Sequence, residues 1–191
     1  MKKAVVFIAD GSEEIETLTP VDYLRRAGID VTLVSVGSDS RTVICSHKVS
    51  VNADITLDAF LSSCGDVLPD AVVVPGGMPG TRNIASCMSV LSFIDAMEKE
   101  KKLICAICAA PALVLSKTKA LPGKKWTCYP DMESEAGEEV KNYISKVPFV
   151  HDGNLITGSG PGAAEEFSME IVKTLAGEAA WNKVKTSSQQ R

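Results

Sequence analysis

Two cysteines at close spacing and a glutamate far from them in sequence are the residues whose types suggest chemistry. In ICAICAAPALVL, Ile104 to Leu115, Cys105 and Cys108 stand at CxxC spacing ahead of a small-residue run and a proline. The spacing admits a dithiol redox pair, half of a metal site, or one nucleophile with a bystander. In an extended strand, residues three apart lie roughly 10 Å from each other and point to opposite faces. A disulfide needs Cα atoms within about 7 Å. Leu103 to Ile107 is apolar and β-like and helix formers begin only at Ala109, which assigns Cys105 to a strand and Cys108 to the turn after it. A zinc half-site needs a second cysteine pair or histidines at matching spacing. The only two histidines, His47 and His151, fall in unrelated hairpin-like stretches, so no metal is expected.

Cys108 then reads as the residue at a strand-to-helix elbow. Ala109 and Ala110 permit a sharp turn, and Pro111 is tolerated in a first helical turn. A helix N-terminus stabilises a thiolate and lowers a cysteine pKa, which suits a nucleophile or an oxidation sensor. From this segment alone, a buried structural cysteine at a tight turn is an equal alternative. Glu16 shifts the balance. In GSEEIET, acids at a helix start suit the dipole, and that accounts for Glu13 and Glu14. Glu16 can face the neighbouring strand ends, where a carboxyl beside a thiolate has a raised pKa and can serve as general acid/base. Pro75-Gly76-Gly77 can bring bare backbone N–H groups to the same place as an oxyanion hole.

The elements that must position these residues are legible in the hydropathy pattern. Runs apolar on both faces recur at Ala4 to Ala9, Val31 to Val36, Ala71 to Pro75 and Leu103 to Ile107, with helical segments between them. Such strands belong in a parallel sheet covered by helices, so the class is α/β. Glu14 to Ala27 reads as a helix closed by Gly28 with a first turn made irregular by Pro20, and Ser89 to Lys101 as an amphipathic helix. Thr42 to Asp54 and Pro148 to Thr157 read as small antiparallel hairpins, the second with Asp152-Gly153 at its turn. Ala163 to Leu175 and Glu178 to Lys185 read as closing helices around Gly177, with a disordered tail from about residue 186. Asp10 to Glu16, Pro75 to Gly77, Cys108 and Gly158 to Gly162 all fall beyond strand carboxyl ends, where open parallel sheets bind ligands.

With 191 residues and 45% hydrophobic composition, the chain reads as one domain, residues 1–191. A formal net charge of -4, with both signs interleaved, gives no field to hold a phosphate backbone and argues against nucleic acid. The N-terminal apolar run is too short for a signal peptide and no stretch is long enough to cross a membrane, so a cytoplasmic protein with free thiols is expected. GSGPG lacks GxGxxG spacing, and dinucleotide binding is a weak reading of it.

These residues carry a resemblance. GSEEIE at the first helix, LRRAG at Leu24 to Gly28, CS at Cys45-Ser46, VVVPGG at Val72 to Gly77, AICAAP at Ala106 to Pro111 and GPG at Gly160 to Gly162 occur in order. The sequence resembles the DJ-one/ThiJ/PfpI superfamily, in the branch of the Parkinson-disease-linked protein deglycase and bacterial ThiJ-like relatives, from Ala4 to about Lys185. The resemblance implies a flavodoxin-like three-layer sandwich, a homodimer and no cofactor. It assigns Cys108 as nucleophile, Glu16 as its carboxyl partner, the N–H groups of Gly77 and Ala109 as oxyanion donors, and Gly76 and Pro161 to the site wall. The implied activity is that of a glyoxalase or deglycase acting on methylglyoxal, glyoxal or their adducts on protein side chains. A non-catalytic redox sensor or chaperone working through Cys108 oxidation is the alternative.

Three departures bear on that assignment. PfpI-type peptidases carry histidine directly after the nucleophile, and Ala109 here disfavours peptidase activity. The histidine of a TxHP segment in many relatives is Tyr129 in TCYP. The arginine that often follows CS is His47, which leaves Arg26 as the expected local cation.

Overall fold

The computed structural model describes residues 1–65 and 67–190. Its strands are β1 (Lys3–Ile8), β2 (Asp30–Ser35), β3 (Thr42–Ile44), β4 (Ser50–Asn52), β5 (Ile55–Thr56), β6 (Ala71–Val74), β7 (Leu103–Ile107), β8 (Phe149–Asp152) and β9 (Leu155–Gly158). Seven of them form one sheet in the order β5-β2-β1-β6-β7-β9-β8, while β3 and β4 make a separate antiparallel hairpin. Only β8 runs antiparallel in the large sheet, paired to β9 through the hairpin expected at Gly153. The chain moves outward from β1 to β2 and β5, then returns to start β6 on the other side of β1. That reversal leaves a crevice at the carboxyl ends of β1 and β6, where α/β sheets open ligand sites.

Side-chain alternation along each central strand divides the core into two layers. Val5, Phe7, Val72, Val74, Ile104 and Ala106 point to one face. Ala4, Val6, Ile8, Val73, Cys105 and Ile107 point to the other. Helices α2 (Leu57–Cys64), α3 (Gly80–Ser86) and α4 (Met88–Lys99) cover the first face through residues such as Phe60, Ile84, Ile94 and Met97. Helices α1 (Glu14–Arg26) and α6 (Ala164–Ser187) cover the second through Val21, Leu24, Phe167 and Ile171. The result is the three-layer, mostly parallel, flavodoxin-like sandwich, with small antiparallel hairpins at its margin.

Several local expectations change. Pro20 leaves the Glu16 carbonyl without its intrahelical donor, yet α1 runs unbroken from Glu14 to Arg26. The helix after Cys108, α5 (Ala110–Leu113), is a single turn that passes into a 3-10 turn at Leu115–Lys117. Gly177, at φ 81°, interrupts α6 as anticipated, but the helix continues to Ser187, past residue 186 where disorder is expected to begin. Arg191, the end of that tail, lies outside the described residues. Helix α2 and the start of α3 have no counterpart in the hydropathy reading, because both are short and half-exposed.

Two loops interlock at the crevice. A Cβ on Gly80 would stand 2.2 Å from the Ser12 backbone nitrogen, and one on Gly11 would lie 2.4 Å from Pro79 Cδ. The loop after β1 and the loop after β6 therefore touch backbone to backbone, and a methyl group can enter only if they separate. Gly80→Ala should lower the unfolding free energy by about 2 kcal/mol or more, the scale of overpacking in a close-packed interior. A urea midpoint equal to that of the parent protein would show that the loops are not pinned at this contact.

Candidate active site

Three strand ends bring the functional side chains together. The turn after β1 leads to Glu16 on the first turn of α1, the turn after β6 carries Gly76 and Gly77, and the elbow after β7 carries Cys108. Glu16 is fully buried, at 0% exposure. Its Oε2 accepts the Gly76 N–H at 2.9 Å, and its carboxyl stands against the Cys108 thiol across Gly76. The backbone N–H groups of Gly77 and Ala109 stand beside the Cys108 sulfur and favour its thiolate. Glu16 Oε1 is buried without a hydrogen-bond partner among the described residues. Cys108, Glu16, Gly76, Gly77 and Ala109 are thus gathered at one point, as the motifs implied.

The backbone is shaped to permit this contact. Cys108 has φ 64°, a left-handed conformation that costs a non-glycine residue about 1–3 kcal/mol and persists only where its surroundings enforce it. Enforcement comes from both sides: the Cys108 N–H donates to the Gly158 carbonyl and its C=O accepts the Tyr129 N–H, each at 2.9 Å. A Cβ on Gly76 would fall 2.5 Å from Cys108 Cβ and 2.6 Å from Glu16 Oε2, so only glycine lets the two side chains meet. Gly77 adopts φ 88°, and a Cβ there would strike the Glu13 nitrogen at 2.2 Å. Cys105 lies on β7 at 0% exposure, with its thiol pushed far up by burial. The CxxC pair is divided between core and elbow.

Proton affinities in the pair are coupled. Burial raises the Glu16 carboxyl and the nearby Glu13 charge raises it further, against the lowering effect of the Cys108 and Gly76 hydrogen bonds, to about 7. Burial also raises the Cys108 thiol, and the Glu16 charge adds to this, while the Ala109 and Gly77 N–H groups pull it down. The lowered thiol pKa expected from a helix start is not what the site provides, because α5 is one turn long and a buried carboxyl stands beside the sulfur. Two adjacent anions are the forbidden state; one proton shared between sulfur and carboxyl is the allowed one.

The remaining expected residues are placed differently. Tyr129 packs its ring on Gly160, where a Cβ would meet it at 3.2 Å, and is half exposed. With Pro161 it lines a cleft of about 800 Å³ that adjoins Cys108 through the Tyr129 backbone. His47 is not at the sulfur: its Nδ1 lies 2.9 Å from Glu14 Oε2 at the mouth of the crevice. Arg26 pairs with Asp22 at 2.6 Å in the last turn of α1. Ten residues of helix, about 15 Å, separate it from Glu16, so within the chain it supplies no local cation.

Three residues of the GSEEIE stretch to which the sequence assigns no part in the chemistry complete the site. Glu13 caps α1, its Oε2 accepting the Glu16 N–H at 2.7 Å. Burial would raise Glu14, but hydrogen bonds from the His47 ring, its own and the His47 backbone, and the Ser46 hydroxyl outweigh burial and bring it down to about 2. Ser12, fully buried, donates nothing to the pair but receives the Ala9 N–H at 3.0 Å and fixes the turn. The three-residue spacing of Glu13 and Glu16 is a capping pattern that was readable in advance.

A carboxyl raised in the folded state favours the fold when protonated. Its contribution is complete below the ordinary value of 4.5 and is lost as pH rises through about 7. Two and a half pKa units correspond to about 3 kcal/mol. The unfolding free energy of the parent protein should therefore fall by about that amount relative to Glu16→Gln as pH rises from below 4.5 to above 7. Parallel urea-derived stability profiles for the two proteins would contradict a raised Glu16.

Comparison with known proteins bears on these features. Residues 2–174 match the DJ-1/PfpI family. The Drosophila melanogaster protein dj-1beta is 39% identical over 93% of this chain and 91% of its own length. Its crystal structure superposes with a TM-score of 0.89, covering 98% of this chain and 97% of that one at 37% identity. The Parkinson disease protein 7 homolog of Danio rerio is 37% identical over 96% of this chain and 95% of its own length. The Schizosaccharomyces pombe protein named glutathione-independent glyoxalase DJ-1 is 31% identical, covering 96% of each. With its elbow cysteine and the matching motifs spread along the same span, the chain belongs to the DJ-1/PfpI family.

Proposed function

We propose that the protein is a cofactor-independent glyoxalase that converts small α-oxoaldehydes to α-hydroxy acids. The observation that carries the reading is the buried Glu16 carboxyl against the Cys108 thiol, with the Gly77 and Ala109 N–H groups on the sulfur. The fission yeast relative bears the name of a glutathione-independent glyoxalase, and Cys108 would here supply the thiol that glutathione otherwise would.

In methylglyoxal, the Cys108 sulfur adds to the aldehyde carbon and the carbonyl oxygen takes up the thiol proton, giving a hemithioacetal. Glu16, as carboxylate, removes the hydrogen from that carbon as a proton, and an enediol forms. Returning a proton to the neighbouring carbon gives a lactoyl thioester, and water releases lactate and restores the thiol. One water is consumed, and the aldehyde is oxidised as the ketone is reduced, so no external oxidant is needed. Glyoxal would give glycolate by the same steps. Aldehyde adducts on cysteine, lysine or arginine side chains present the same carbon, and the cleft beside Tyr129 and Pro161 has room for the attached chain.

Wild-type protein should form lactate from methylglyoxal without glutathione. Cys108→Ser and Glu16→Gln should each lose about a hundredfold or more of kcat, the range of a nucleophile or a positioned acid/base. Lactate formation by Cys108→Ser at the wild-type rate would sink this mechanism. Inactive wild type that gains two oxygens at Cys108 under mild peroxide, by intact mass, would instead support the sensor reading. The N–H groups now on sulfur would then hold sulfinate oxygens. Histidine is absent after Cys108, where Ala109 stands, and a peptidase is disfavoured.

The reading includes a homodimer. Ile15 and Leu18 on α1 are exposed, as are Ile44 and Val49 on the hairpin that docks against the start of α1. Apolar side chains gathered at one margin favour association with a second copy. Ile15→Lys combined with Val49→Lys should shift the protein from dimer to monomer in sedimentation analysis. An unchanged dimer would place the interface elsewhere.

A further inference from the structure

Three hydrogen bonds close a ring around Glu16. The Glu16 N–H donates to Glu13 Oε2 at 2.7 Å, the Glu13 N–H donates to the Gly76 carbonyl at 3.0 Å, and the Gly76 N–H donates to Glu16 Oε2 at 2.9 Å. Of the two carboxyls in this ring, only that of Glu16 has a part in the reaction. We propose that Glu13 is a positioning residue for the acid/base step: it aims the Glu16 carboxyl and the Gly76–Gly77 loop at Cys108 and, through its negative charge, keeps Glu16 ready to hold a proton.

The ring departs from an ordinary helix start in a way that serves the sulfur. In the reciprocal capping pattern, the glutamate three residues into the helix sends its side chain back to the N–H of the cap residue. Here the cap is Glu13, and its N–H goes to Gly76 on the loop after β6, which leaves the Glu16 side chain free to face Cys108. Glu13 is itself held firmly. Its carbonyl accepts both the Thr17 N–H, at 3.1 Å, and the Thr17 hydroxyl, at 2.7 Å, and its side chain is only 9% exposed. Gly77 packs so closely on it that a Cβ there would strike the Glu13 nitrogen. One residue thus fixes the backbone of the acid/base and the loop whose N–H groups flank the reacting pair.

Its charge acts on the same carboxyl. Burial raises the proton affinity of Glu16 most and the Glu13 charge adds to it, while Cys108 from the elbow after β7 and the Gly76 N–H from the loop after β6 oppose them. Glu13 is in turn faced by His47, whose Nδ1 lies 3.9 Å from Glu13 Oε1 and 2.9 Å from Glu14 Oε2. A neighbouring negative charge favours the neutral form of a carboxyl. Glu16 has to take a proton from one substrate carbon and give one back to the next, so a charge that strengthens its hold on the proton supports the transfer. This role rests on the acid/base part that the glyoxalase reading gives to Glu16.

Two variants separate aim from charge. Glu13→Gln keeps an oxygen for the Glu16 N–H and removes the charge, whereas Glu13→Ala removes both. With isotope-labelled glutamate carboxyls, the Glu16 magnetic resonance signal, identified by its loss in Glu16→Gln, should titrate at lower pH in Glu13→Gln than in the parent protein. In methylglyoxal turnover, the acid limb of the kcat/KM profile should move to lower pH in Glu13→Gln with little change in plateau kcat. Glu13→Ala should lose about tenfold or more of kcat with KM nearly unchanged, the mark of a misaimed group. An unmoved Glu16 signal in Glu13→Gln, or parental kcat in folded Glu13→Ala, would overturn the assignment. A lowered Glu16 midpoint in a protein that forms no lactate would support the charge role and count against the glyoxalase reading, because the titration is read without substrate.

Discussion

A carboxyl buried against a thiol is the constraint around which this molecule is arranged. Taking either anion out of water is costly, and placing both side by side is costlier still. The pair can therefore hold one negative charge but not two, and where that charge resides is set by backbone N–H groups. Gly76 offers its N–H to the carboxyl, whereas Gly77 and Ala109 offer theirs to sulfur. A substrate that adds to sulfur removes one of the competing anions, which leaves Glu16 free to take a proton. Burial raises both groups and the Glu16 charge raises the thiol further, which links nucleophilic addition to acid/base transfer.

Holding those groups within reach explains otherwise expensive local structure. Glu16, Gly76 and Cys108 come from three strand ends, and adjacent parallel strands place those ends side by side without any long connection. The loops then have to approach more closely than side chains allow. Gly11, Gly76, Gly77 and Gly80 all occupy positions where a Cβ would meet another backbone or the reactive pair at under 3 Å. The positive φ of Cys108 turns its side chain back toward the crevice instead of along the strand. Strain at one residue is tolerated because hydrogen bonds to Gly158 and Tyr129 fix its peptide groups on both sides.

Much of this was legible in the amino-acid order. Central strands apolar on both faces declared a covered parallel sheet, and the alternation of Val5, Val6 and Phe7 between the two core layers follows from strand pleat alone. Separating Cys105 from Cys108 needed only strand geometry. What could not be read was distance across the fold. Arg26 and His47 both carry positive-charge potential near the motifs, yet helix length removes the first to the far end of α1 and hairpin docking brings the second to Glu14 instead of sulfur. The thiol's proton affinity also escaped, because it depends on how long α5 is and on burial around Glu16. Helix propensity in Ala110 to Leu115 suggests a continuing helix, but α5 ends at Leu113 and a 3-10 turn follows, with Leu115 in the core.

Glu13 joins the two polar clusters of the molecule. One of its oxygens caps the nitrogen of Glu16, fixing the start of α1 and hence the direction of the acid/base; the other faces His47. Its charge also contributes to the raised Glu16 carboxyl. The mouth of the crevice and the reactive pair are consequently not independent. Whatever neutralises the outer oxygen of Glu13 changes the field at Glu16 without touching Cys108. The short loop between β1 and α1 therefore has two functions, positioning the carboxyl by its cap and setting its proton affinity by charge, and both pass through one side chain.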